Sequence, residues 1–131
     1  MAFEMVNCEA SVDYIMDSGV CIGIVIDLTK SVEKAIVLFD ILLEEKVKSI
    51  YFIDTNTRNH IEINKGDSDV RLDSKVIITL SQNDIEIIRN MMLDVSIGLG
   101  FAGYHYDIEA SDACPIDLCF TFNKCNSQMA D

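Results

Sequence analysis

The side chains able to do chemistry in this chain are five cysteines, two histidines and a large excess of carboxylates. The densest group is Cys114-x4-Cys119-x5-Cys125, with His105 upstream of it. Thiolates and an imidazole at short spacing are zinc ligands in principle, but structural zinc sites pair one cysteine knuckle with a matching second pair. No second pair exists, so these residues read as isolated thiols. Cys21 sits inside an apolar run and reads as core. His60 and His105 each fall on the polar side of an alternating segment, without a G-x-S-x-G elbow or a reactive-cysteine signature beside them. Solvated surface histidines are the expectation, and a triad assembled in space from Cys119, His105 and Asp107 stays open.

Two further spacings lead nowhere chemically. Asp54-x-Asn56-x-Arg58 begins like an acidic calcium loop, yet Arg58 stands at the fifth position, Asn59 where glycine is required, and Lys65 where a bidentate Glu is required. It reads as a hairpin turn. Gly98-x-Gly100-x-x-Gly103 has dinucleotide-loop spacing but follows a helical pattern and precedes a strand pattern, the reverse of the order that aims a helix N-terminus at phosphate. These glycines read as a helix stop. No cofactor and no metal is expected.

What remains is a polar face carrying Asp107, Glu109 and Asp117, with Asp112 in the intervening turn, His105, Cys119 and Thr121 between them, and no base nearer than Lys124. Like charges on paired strands repel by roughly a few tenths of a kcal/mol or more each. A cationic partner would relieve that repulsion; a hydrated sheet face is the plainer alternative.

The whole chain agrees in sign. Its 131 residues carry a net charge of −12, which argues against nucleic acid and anionic membranes, since phosphate contacts need Lys and Arg. The excess lies at the two ends: residues 1–29 hold five acids and no base, residues 30–80 nine acids and eight bases, residues 81–131 eight acids and two bases. The N-terminal stretch has no Lys or Arg and no continuous apolar core, which argues against a secretory signal. No run approaches the roughly 18 apolar residues of a membrane span. An odd number of cysteines in a chain of this size suggests reduced thiols and a cytoplasmic location.

Val20 to Ile26, apolar but for Gly23, predicts a central strand covered on both faces. The period then shifts: Val32, Ala35, Ile36, Phe39, Leu42 and Leu43 form one helical stripe, with Thr29 or Ser31 as cap. A strand follows at Ile50 to Ile53; the return from the helix is a right-handed crossover to a parallel strand or an antiparallel one. His60 to Asn64 alternates and predicts a hairpin on the sheet edge. A strand near Val70 to Leu72 is expected to run through a bulge at Asp73-Ser74 into Lys75 to Leu80. Ser81-Gln82-Asn83-Asp84 starts a capped helix with its stripe on Ile85, Ile88, Met92, Val95 and Leu99, stopped by Gly98 and Gly100.

In the last two strands Tyr104, Tyr106 and Ile108 oppose His105, Asp107 and Glu109, and Ile116, Leu118, Phe120 and Phe122 oppose Asp117, Cys119, Thr121 and Asn123. Residues 124–131 read as a frayed tail and residues 1–18 as a short helix or edge strand. The expected fold is one α+β domain over residues 1–131, with a five- to seven-stranded mixed or antiparallel sheet and two main helices on one face. Ile26-Asp27-Leu28-Thr29 and Ile78-Thr79-Leu80-Ser81 look alike 52 residues apart, from an internal duplication or from one common strand-to-helix turn used twice.

The stretch Leu80 to Ile88, LSQNDIEII, together with the acidic terminal strands, resembles bacterial toxin-immunity proteins. That resemblance implies an acidic protein-binding module that neutralises a cognate basic toxin by binding and occluding it, and it implies no catalysis. The partner face would comprise Asp107, Glu109, Asp112, Asp117 and His105, with Tyr104 or Tyr106 as aromatic anchors. The alternatives are a secretion-type chaperone of an effector, which it is similar to in size and acidity, and a small enzyme or ligand binder. Oligomeric state is not legible.

Overall fold

Two hairpin-helix-hairpin units make up the fold. The computed structural model describes residues 8–72, 74–99, 103–112 and 115–123; expectations on Phe3, Met5, Val6, Asp73, Gly100, Cys114, Cys125 and residues 124–131 lie outside them. In the first unit, β1 (Glu9–Asp17) and β2 (Val20–Asp27) pair antiparallel. Ser18 and Gly19 both take positive φ, 52° and 82°, the backbone a two-residue hairpin turn requires. A single 3-10 turn and α1 (Val32–Leu43) follow, then the antiparallel pair β3 (Ser49–Asp54) and β4 (His60–Lys65). The second unit repeats the plan: β5 (Asp69–Leu72) and β6 (Val76–Leu80), α2 (Gln82–Ser96), and the pair β7 (Tyr104–Ile108) and β8 (Asp117–Asn123).

All these strands join one mixed eight-stranded sheet in the order β5-β6-β4-β3-β1-β2-β8-β7. The α+β expectation holds, but the strand number exceeds five to seven for two reasons. The stretch before Gly19 forms the full strand β1. The segment expected to bulge near Ser74 instead reverses, so that Leu72 faces Val76; alternation looks the same on either side of a tight turn whether the chain continues or doubles back. The return from α1 is the antiparallel one with respect to β2, because β3 lies beyond β1 and parallel to it.

One core lies between the helices and one face of this sheet. Ile24 and Ile26 of β2, Ile50 and Phe52 of β3, Ile61 and Ile63 of β4, Ile78 and Leu80 of β6, and Phe120 and Phe122 of β8 all point into it. The helices supply Val32, Ala35, Leu38, Phe39 and Leu42, then Ile85, Ile88 and Met92. Phe39 meets Phe52 at 6.2 Å between ring centroids, within the range of favourable aromatic pairing. Leu99 lies past the end of α2 and is 70% exposed rather than on its packing stripe.

The helix starts differ. Ser81 caps α2, its hydroxyl accepting from the Asp84 amide at 3.1 Å. Neither Thr29 nor Ser31 caps α1: Thr29 donates to Asp27 Oδ1 and the Ser31 hydroxyl donates to the Glu9 carbonyl at 2.6 Å. Those hydroxyls tie the 3-10 turn to the sheet instead.

The register repeats between units. Ile26 pairs Phe120 across the parallel β2 and β8 contact, and Ile78 pairs Ile63 across the parallel β6 and β4 contact. Val12 faces Ile26 as Val70 faces Ile78, and Phe52 faces Ile61 as Ile108 faces Leu118. The two similar tetrapeptides are therefore equivalent positions of two like units. Each unit lends its outer strand to the other, β8 to β2 and β4 to β6.

Candidate functional site: an acidic groove on the open sheet face

Among the described residues no helix covers the sheet face opposite α1 and α2, and Asp107, Asp117 and Cys119 lie on it where β7, β8, β2 and β1 run side by side. There the surface sinks into a groove of about 360 Å³ lined by Ile15, Gly23, Val25, Asp107, Asp117 and Cys119 among others. The floor is made by the β1 and β2 hairpin. Its register steps from Ile15↔Gly23 to Met16↔Cys21, which leaves Ile22 unmatched as a bulge, and Ile22 also lines the groove. Gly23 keeps the floor low, since a Cβ there would meet Ile15 Cδ1 at 3.3 Å and the Asp117 carbonyl at 3.6 Å. Beyond the bulge the hairpin tip leaves Met16 57% and Val20 62% exposed.

The walls are acidic. Asp107, Glu109 and Asp117 all line the groove, and among the described residues no Lys or Arg does so. Asp117 Oδ1 also accepts from the Ala110 amide at 2.6 Å, bracing the turn between β7 and β8. Asp112 is exposed in that turn and does not line the groove. His105 does not line the groove; it is half exposed, its Nε2 3.4 Å from Asp107 Oδ2.

The structure does bring Cys119, Asp107 and His105 together, but in an order unsuited to nucleophilic catalysis. Asp107 stands directly across from Cys119, so the carboxylate rather than the imidazole is the thiol's neighbour. Burial, then the hydrogen bond to Asp107 and its charge, push the Cys119 thiol up to about 12. A thiol held protonated is a poor nucleophile and a poor metal ligand. Among the described residues no group of three or more His, Cys, Asp and Glu side chains is placed to hold a metal ion. Asp54, the first residue of the calcium-like spacing, is 1% exposed and spends both oxygens on its own turn, accepting from the Asn56 amide at 2.9 Å and the Thr57 hydroxyl at 3.0 Å.

Tyr104 and Tyr106 do not share a face with the acids. Both turn to the helix side, packed against the core, with their hydroxyls donating to Asp94 at 3.2 Å and Asp84 at 2.6 Å on α2. Burial and the adjacent carboxylate raise both phenols, Tyr106 to about 12. They hold β7 to α2 and are not anchors for the groove. The exposed apolar groups beside the acids are Ile15, Ile22, Met16 and Val20 instead. From sequence, Ile22 and Val20 belong to a strand covered on both faces, and Ile15 and Met16 to a stretch with no assigned face. The signal available for them is Gly23 inside an otherwise apolar run, a mark of a bulge or a close approach.

Comparison with known protein families, with curated proteins and with solved structures finds no match.

Proposed function

We propose that the chain is an acidic protein-binding module that neutralises a cationic protein, in the manner of the toxin-immunity proteins it resembles, by docking the open face of β7, β8 and the β1–β2 hairpin onto the partner's basic site. The observation that carries this reading is the composition of one groove: acidic walls from Asp107, Glu109 and Asp117 over an apolar floor from Ile15, Ile22 and Val25, with no base lining it among the described residues. Charge at the rim steers association and selects a basic partner, while desolvated apolar contacts at the centre supply residence time. The apolar hairpin tip takes the anchoring role expected of Tyr104 and Tyr106. Asp112, exposed in the β7–β8 turn, adds to the steering charge, and His105 lies beside Asp107.

The test is a kinetic one on a partner recovered from the native host. Asp107→Lys with Glu109→Lys is expected to slow association by about tenfold or more at low salt and to flatten its salt dependence. An unchanged association rate would remove this face as the docking surface.

A further inference from the structure

The two units differ at one set of equivalent positions on the open face. Aligning Ile26↔Phe120 with Ile78↔Ile63 sets Gly23 against Lys75, Val25 against Ile77, Cys119 against Glu62, and Asp107 against Tyr51. Where β6 crosses β4, the Lys75 ammonium lies 3.1 Å from Glu62 Oε1. Burial alone would raise the Glu62 carboxyl, but bonds from Lys75, Asn64 and Tyr51 together hold it below the usual carboxylate range. That crossing is a finished site: a carboxylate, a phenol donor across the strand pair, and a lysine from the parallel neighbour.

Where β2 crosses β8 the same three places read differently. The carboxylate and its donor have exchanged strands, Asp107 now standing on β7 and the Cys119 thiol on β8. Glycine occupies the lysine's position and lines the groove, with Ile15 close enough to meet a Cβ placed there. Two more carboxylates, Glu109 and Asp117, line it. One unit thus builds the lysine in, and the other omits it while gathering more negative charge.

We infer that the groove is a socket for a lysine side chain of the bound protein, its ammonium set among Asp107, Glu109 and Asp117 and its methylenes lying over Gly23, Ile15 and Val25. This rests on the reading of the chain as a binder of cationic proteins and names the group that reads the site. Lysine suits it better than arginine because the acids stand on three separate residues, Asp107 on β7, Glu109 just past its end and Asp117 on β8. A compact ammonium with rotatable donors can satisfy scattered acceptors, whereas a planar guanidinium favours one carboxylate held edge-on. An apolar stem ending in a charge matches an apolar floor under an acidic rim.

The probe is a hexalysine peptide at low ionic strength, followed by calorimetry and by amide shifts of the protein. Binding is expected to move the amides of Gly23, Val25, Asp107 and Cys119. Gly23→Lys, which copies the other unit, is expected to weaken hexalysine about tenfold or more, whereas Glu33→Gln on α1, which changes net charge equally, weakens it about twofold. Lys75→Gly is expected to add a second binding event, with shifts around Glu62. Gly23→Ala, a smaller intrusion, weakens hexalysine to an intermediate degree and serves if Gly23→Lys does not fold. Hexalysine bound by Gly23→Lys as tightly as by Glu33→Gln would overturn the socket, as would hexa-arginine binding more tightly than hexalysine. Loss of binding in Asp107→Lys with Glu109→Lys but not in Gly23→Lys would leave the acidic docking face standing and the socket refuted.

Discussion

The Cys119 thiol faces the Asp107 carboxylate across the β7 and β8 pair, with His105 on the far side of that carboxylate. Burial is the largest single cause of the raised thiol, followed by the hydrogen bond to Asp107 and then by its charge. Asp107→Asn is therefore expected to speed alkylation of Cys119 by iodoacetamide at mildly alkaline pH by about two- to fivefold, rather than to create a reactive thiolate. Site-resolved mass spectrometry separates Cys119 from the other thiols. A slower reaction in the variant would mean that Asp107 activates the thiol.

Alkaline stability reports the same groups. The folded thiol and phenols hold their protons to about 12 at Cys119 and at Tyr106, against ordinary values of 9.0 and 10.0. An unfolded chain ionises first, so their contribution is intact below about pH 9 and is lost progressively between there and about pH 12. Chemical denaturation across that window is expected to show falling stability, and Tyr106→Phe to remove the part that sets in near pH 10.

At neutral pH, Tyr106→Phe deletes the bond to Asp84 at 2.6 Å and leaves that carboxylate at the start of α2 one donor short. The expected loss is about 1–2 kcal/mol, a fall in Tm of about 3–8 °C. Thermal melting followed by circular dichroism measures it. Asp84→Ala/Tyr106→Phe should cost little more than Asp84→Ala alone, since the two share one bond.

Asp54→Ala is expected to cost about 1–3 kcal/mol, because the turn at 55–58 loses the buried acceptor of the Asn56 amide and the Thr57 hydroxyl. The Arg58 backbone, at φ 65°, is held by the same turn. Millimolar calcium is expected to leave the melting temperature of the unaltered protein where it was, since Asp54 already uses both oxygens. A calcium-dependent rise would reinstate the metal loop.

Arg89 bridges the helices, its Nη1 3.2 Å from Asp40 Oδ1, while its buried Nε has no partner among the described residues. A half-exposed ion pair with an unsatisfied donor adds little. Arg89→Leu is expected to change stability by less than about 1 kcal/mol in either direction, as read from urea midpoints. A loss well beyond that would show that the pair sets the helix packing.

Legibility in the sequence follows the strength of period and cap. The stripe of α2 and the Ser81 cap are plain because a hydroxyl, an acid three residues on and an apolar repeat all agree. The facing of β7 and β8 is equally plain, so that Asp107, Glu109 and Asp117 can be set on one side. Strand order is not, because period-two alternation says which way a side chain points and nothing about its neighbour. For the same reason the contribution of Ile15, Ile22, Gly23 and Val25 to the groove stays hidden, for it depends on β2 lying beside β8, whose residues come almost a chain length later. Tyr104 and Tyr106 lie opposite the acids, as alternation predicts, yet they cannot anchor a partner because their side of β7 faces α2 rather than solvent.

The exchange of outer strands between the units has a kinetic corollary. Val25 meets Cys119 94 residues along the chain (119 − 25), while Glu62 meets Ile77 only 15 residues away (77 − 62). The β4 and β6 seam can close early around a short loop, but the β2 and β8 seam must wait for nearly the whole polypeptide and bears the larger closure entropy. The groove lies on that late seam. A chain arrested before β8 pairs has a sheet in which Ile24 and Ile26 are half covered and the acids are dispersed, so the proposed docking face and the seam with the larger closure entropy depend on the same strand.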